Sequence, residues 1–357
     1  MNRVEPPVPA TAVLGPIPRE RPSDRLVVSP STARNTALDF TKGALVVLMV
    51  AYHTLNYFRY DISLLRHLHF LPTSFIFIAG FLITHIYLPK ILAGETGVYR
   101  RLLVRGLKTL ALFAVLNVGV HAVFSSSYNR ALGLDVLAAN LDAVFLTGEQ
   151  RASVFGVLLP ISYLLMLSAL LLRMAKALPL ALPVVATGFC LGCAMLAWHG
   201  RLTFNLDLVS MGVLGMVAGF IPRAVLDRSA RHGLVFVVAY LAYSVAIRYW
   251  YPTYLINTLG VALSLCLLYA VGRRIAASHF VARQLTLLGN YSLLSYLVQI
   301  AVLQALFRLS RIADRFEVGV LLPFILTVLI TLLVVHAVAR LRKHHGITDR
   351  AYQLVFA

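Results

Sequence analysis

The sequence predicts an all-α polytopic membrane protein, a bundle of about ten transmembrane helices with both termini cytoplasmic. Three observations carry this. Of 357 residues, 59% are hydrophobic and only 13% charged, where a soluble domain is about half apolar and a quarter charged. Apolar runs close to 20 residues recur along the chain, each long enough to cross a hydrocarbon core. Lys and Arg gather between those runs on alternate sides, as the positive-inside rule requires of cytoplasmic loops.

Residues 1–33 hold seven of the 15 prolines and no long apolar run. They are expected to be a disordered cytoplasmic tail. No apolar stretch of signal-peptide type precedes the first span, so no cleaved leader is expected and that span serves as the insertion signal. The membrane domain covers 34–345, and 346–357 form a cytoplasmic C-terminal tail.

Ten spans are expected, at about 43–59, 70–89, 103–124, 153–173, 179–198, 205–222, 233–250, 254–271, 285–307 and 318–340. With the N-terminus inside, the inner loops and tails carry 23 Lys and Arg and the outer ones nine, which supports the orientation. The stretch 125–152 has the length of a span but contains Asp135, Asn140 and Asp142. It is placed outside, as an amphipathic or re-entrant element. "GFCLG" at 188–192 and "GMVAG" at 215–219 read as sites of close helix packing.

The net charge of +18 does not indicate nucleic acid, because the charge lies in loops flanking apolar runs. Such a face meets anionic lipid and can hold phosphate groups. Cys190 and Cys193 form a CxxC inside an apolar helix. Redox and zinc motifs need polar, accessible surroundings, so these read as small buried residues, and Cys266 likewise. No metal site is expected.

Ionisable residues inside spans point to function by default. Lys42 and His53 are eleven residues apart, three helical turns, so they share a face about 16 Å apart along the axis. Asp39 and Asn56 fall near the same stripe. A neutral imidazole there can act as general base; on spacing alone, a packed histidine satisfied by one neighbour is an equal reading. Arg101, Arg105 and Lys108 line one face at the start of the third span. They suit a phosphate clamp, though membrane anchoring explains them as well. Ser292, Tyr296 and Gln299 share a face in the ninth span, where interhelical hydrogen bonding is the plain alternative. Asn117 and His121 pair at i, i+4 toward the outer side. His336 is isolated and reads as structural.

Three stretches together resemble the acyltransferase-3 superfamily, including the OpgC-type acyltransferases of periplasmic glucans. "LDFTKGALVVLMVAYH" is similar to its opening helix, in which a basic residue and a histidine follow a Leu-Asp; here these are Lys42 and His53 after Leu38-Asp39. "SFIFIAGFLIT" (74–84) resembles its aromatic-rich second helix, with Ala79 where serine is common. "LGNYSLLSYLVQ" (288–299) is similar to its late helix, with Gln299 where many relatives carry histidine. The resemblance covers about residues 34–345.

The resemblance implies a multi-pass enzyme of the bacterial inner membrane that transfers acyl groups other than aminoacyl groups. Cytoplasmic acyl-CoA would be the donor substrate, with no permanently bound cofactor. His53 would be the base, with Lys42 orienting the donor and Asp39 pairing the lysine. Arg101, Arg105 and Lys108 would meet the CoA phosphates. The acceptor would be a hydroxyl of an extracytoplasmic glycan, polysaccharide or glycolipid. Asn56, Asn117, His121, Tyr296, Gln299, Asp142 and Asp207 are candidates to hold it, with Tyr128, Asn129, Asp135 and Glu149 of the outer segment beside them. Polysaccharide biosynthesis proteins or a second copy of the chain are further partner candidates. The acyl group, acetyl or succinyl, stays open, as does direct transfer against an acyl-enzyme. A secondary transporter or a non-catalytic export partner are the competing classes.

Overall fold

The computed structural model describes residues 35–58, 62–124, 140–149, 155–178, 180–250, 253–275, 279–312 and 319–356. The expected N-terminal tail lies outside the described residues. The regular elements are helical: α1 (Thr36–Phe58), α2 (Ile62–His67), α3 (Phe70–Leu92), α4 (Val98–Phe124), α5 (Leu158–Ala177), α6 (Ala181–Trp198), α7 (Phe204–Ala218), α8 (Arg223–Ser229), α9 (Gly233–Tyr249), α10 (Tyr254–Arg274), α11 (Phe280–Asn290), α12 (Ser292–Ile312), α13 (Leu321–His344) and α14 (Gly346–Phe356). A π-helical turn, Asp142–Thr147, precedes α5.

Nine helical stretches among the described residues are long and apolar enough to cross a membrane, with α2–α3 and α8–α9 each counting as one. The chain is therefore an all-α polytopic membrane protein. The expected span at 205–222 is present as α7, which has only 15 residues and so is about 22 Å long, short of a ~30 Å core. It is instead wrapped by α3, α5 and α6, with Leu208, Met211, Val213 and Met216 buried.

The expected continuous span at 285–307 is two helices. α11 ends at Asn290, and Tyr291 leaves helical geometry at φ −113°, ψ 32°. Its carbonyl then accepts from Ser295 N at 2.8 Å and Ser295 Oγ at 3.0 Å, so the carbonyl at the break is satisfied. Apolar composition runs on through the break, which is why the sequence reads as one helix.

Local chemistry fixes several helix starts. Asn35 Oδ1 accepts from Ala37 N and Leu38 N at 3.2 and 3.3 Å and caps α1. Pro160, Pro183 and Pro323 each sit in the first turn of a helix, where a missing N–H loses no helical bond.

Between membrane helices there is little hydrophobic drive, so close packing at small residues holds them together. A Cβ on Gly43 would overlap the carbonyl of Leu285, and one on Gly289 the carbonyl of Asp39, so α1 and α11 touch backbone to backbone. Gly80 and Gly215 bring α3 and α7 together the same way, against the carbonyls of Gly212 and Phe77. The "GMVAG" expectation thus holds. "GFCLG" behaves differently: a Cβ on Gly188 or Gly192 would meet nothing within 4 Å, and both face outward. The motif is the same, but α6 turns that face away from the bundle.

Candidate active site

α1 stands at the centre, against α3, α10, α11, α12 and α13. A cavity of about 370 Å³ runs beside it, enclosed by α1, α3, α4, α5, the α11–α12 junction and α14. This is within the usual range for small-molecule sites. Lys42, Arg105 and Lys108 line it together with Tyr352, Val355 and Phe356 of the C-terminal helix. Its interior is apolar, formed by Met49, Phe75, Ile78, Ala79 and Leu82, with Tyr296 on the α12 side.

Lys42, Met49 and His53 share a helical face at i, i+7 and i+11. The cavity reaches Met49, and His53 lies one turn further on. Its Nε2 is buried and has no hydrogen-bond partner among the described residues. The ring sits between Tyr52 and Tyr57, with centroids 5.3 and 6.4 Å away. Tyr57 is itself engaged: its hydroxyl accepts from Gln304 Nε2 at 2.6 Å.

At the other end, Lys42 Nζ lies 2.7 Å from Asp39 Oδ1. Arg105 donates from Nη1 to the Tyr87 hydroxyl at 2.8 Å, which aims the guanidinium along the cavity wall. Arg101 turns elsewhere. It donates to Glu95, does not line the cavity, and holds the exposed Glu95 carboxyl below the usual carboxylate range.

The acceptor candidates scatter. Tyr296 lines the cavity and is buried. Gln299 is fully buried, and neither its Oε1 nor its Nε2 has a partner among the described residues. Asn117 is buried and donates to the Phe113 carbonyl at 2.9 Å. Asn56 and Asp142 are exposed. Asp207 is half-buried, with Oδ1 lacking a partner among the described residues, and does not line the cavity. The side chain of His121 and residues Tyr128, Asn129 and Asp135 lie outside the described residues. Asn205 serves packing instead. Its Nδ2 faces the carbonyls of Val144, Phe145 and Leu146 at 3.2, 3.3 and 3.4 Å and pins the π-helical turn to α7. Gly148 ends that turn at φ 73°, a conformation that suits glycine. His336 Nδ1 bonds the Leu332 carbonyl at 2.9 Å.

The acyltransferase domain family matches residues 35–340, from α1 to within the last turns of α13. The chain belongs to this acyltransferase-3 family. No curated protein and no solved structure matches it. An acyltransferase needs a place for its acyl donor and a group that takes the acceptor's proton. Sequence reasoning missed the part of the wall formed by α14. Tyr352, Val355 and Phe356, spaced i, i+3 and i+4, are the signal that could have found it. Nothing in the sequence singles out Tyr87 as the partner of Arg105.

Proposed function

We propose that the chain is an O-acyltransferase that moves an acetyl or succinyl group from cytoplasmic acyl-CoA to a hydroxyl of an extracytoplasmic glycan, polysaccharide or glycolipid. The observation that carries the reading is the cavity itself. It has cations at its mouth and apolar walls, and it ends one turn short of a buried imidazole nitrogen with no partner among the described residues.

In this reading Arg105 and Lys108 take the donor's phosphates, since the guanidinium fork and the ammonium both suit phosphate oxygens. The thioester arm extends along the apolar wall past Met49. The acceptor hydroxyl arrives from the opposite side, and His53 Nε2 removes its proton as it attacks the thioester carbonyl. A C–O bond forms, the C–S bond breaks, and the leaving thiolate takes from His53 the proton that came from the acceptor hydroxyl. The protein then works as a multi-pass enzyme of the bacterial inner membrane, with its basic face toward the cytoplasm.

Mass spectrometry of surface glycans and lipids tests this. Cells with the native protein should carry an acyl mass that is missing without the protein and with His53→Ala. An unchanged acyl pattern in cells holding stable His53→Ala protein overturns the base assignment. An unchanged pattern without the protein overturns the acceptor class.

A further inference from the structure

α1 and α12 run side by side with a nearly constant offset in sequence. Gly43 meets Gly289 just before the break at Tyr291. Met49 and Tyr296 both line the cavity. Further along, Tyr57 bonds Gln304, 247 positions later. The same offset brings Gln299 to the depth of His53, one turn past the cavity's inner end. Tyr296 and Gln299, at i and i+3, lie on neighbouring positions of one face.

Both groups at that depth carry polar atoms without a partner among the described residues. Gln299 is fully buried, and neither amide atom has a partner among the described residues. His53 Nε2 is in the same condition. Of the other buried polar groups, Gln304 donates to Tyr57, Asn117 donates to Phe113, and the Val157 backbone engages the Tyr296 hydroxyl, while Ser74 Oγ on α3 is also without a partner among the described residues. An unsatisfied buried amide costs about 1–3 kcal/mol. Among the described residues, Gln299 is the side chain in which two such atoms occur together.

We propose that Gln299 is the oxyanion donor of the transfer. The inference rests on the acyl-transfer reading above. As the acceptor oxygen attacks, the carbonyl electrons of the thioester move onto its oxygen, and the Gln299 Nε2–H donates to that developing charge. Collapse restores the carbonyl and expels the thiolate, which takes the proton held by His53. A neutral amide suits this position because it brings a donor into the membrane without a charge to desolvate. Preorganised donors in a dry site act mainly on the transition state.

The test uses membranes holding the full-length protein, radiolabelled acetyl-CoA or succinyl-CoA as donor, and total surface glycan from cells lacking the protein as acceptor pool. Initial rates are measured against donor concentration for native protein, Gln299→Met, Gln299→Leu and His53→Ala. Both apolar variants should lose about 10²–10³-fold in kcat with donor KM within about threefold, the signature of an interaction made only in the transition state. Their thermal stability should match or exceed the native value, since an unsatisfied polar group has been removed. Two results overturn the proposal: kcat within about fivefold of native, or a raised KM at unchanged kcat. If His53→Ala stays active while Gln299→Met is impaired, the base assignment fails and the donor assignment stands. If native membranes transfer from neither donor, both fall together.

Discussion

Lys42 Nζ lies 2.7 Å from Asp39 Oδ1, and the two side chains retain only 16% and 7% of their exposure. A pair so withdrawn from water is costly to break, because removing one partner leaves a buried charge behind. Lys42→Ala should therefore lower stability by about 3 kcal/mol, read as thermal unfolding in detergent. The double variant Asp39→Asn with Lys42→Ala should recover most of that loss. If the double variant is stable but still inactive, the lysine serves the donor as well as the fold. Recovered activity would reduce it to a structural role.

Arg105 and Lys108 line the cavity, and Arg101 does not. Charge-assisted hydrogen bonds are worth about 1.5–3 kcal/mol, so Arg105→Ala or Lys108→Ala should raise the donor KM roughly 10- to 100-fold. Arg101 is committed to Glu95 on the surface, and exposed pairs contribute little. Arg101→Ala should stay within about threefold of native. Equal effects from all three would mean that the donor's phosphates spread beyond the cavity mouth.

The sequence made the helices legible because bilayer crossing demands long apolar runs, and little else satisfies the backbone there. It made the Lys42–His53 face legible because eleven residues fall close to three whole turns. Packing was harder to read. Gly188 and Gly192 have the same spacing as Gly215 and Gly219, yet only the second pair touches another helix, and which face a helix turns inward depends on its neighbours. Gln299 could be named from its face but not valued, because its lack of partners among the described residues is a fact of three dimensions. The break at Tyr291 was hidden for the converse reason: hydropathy does not register one residue leaving helical geometry.

That packing difference can be measured. At Gly43 a methyl group would strike the Leu285 carbonyl, which belongs to backbone and cannot rotate aside. Gly43→Ala should therefore cost more than the ~1–3 kcal/mol typical of overpacking, with loss of folded protein in detergent. Gly188→Ala meets open space, and alanine is the better helix former by about 1 kcal/mol. It should leave the melting temperature unchanged or raise it. A drop comparable to that of Gly43→Ala would mean that the outward face of α6 is covered by something outside this chain.

The C-terminal helix α14 is held chiefly through Arg342, at the end of α13. Arg342 Nε donates to Asp349 Oδ1 at 2.8 Å, Nη1 donates to the Tyr291 hydroxyl at 3.3 Å, and the guanidinium stands 4.0 Å from the Tyr352 ring centroid. Arg342 thus ties α14 to the α11–α12 break, beside the direct edge contact of the Tyr291 and Tyr352 rings at 5.5 Å, with Tyr352 and Phe356 against the cavity. Arg342→Ala removes the ion pair, the tyrosine bond and the cation–π contact together, which are worth about 0.5–1 kcal/mol each at partly exposed sites. An eleven-residue helix is marginal without tertiary support, so α14 should detach while the bundle stays folded. Limited proteolysis should then cut beyond His345 faster than in native protein, at an unchanged melting temperature. Protection equal to native would show that the Tyr291–Tyr352 ring contact and the apolar contacts of Val355 and Phe356 hold the helix without Arg342.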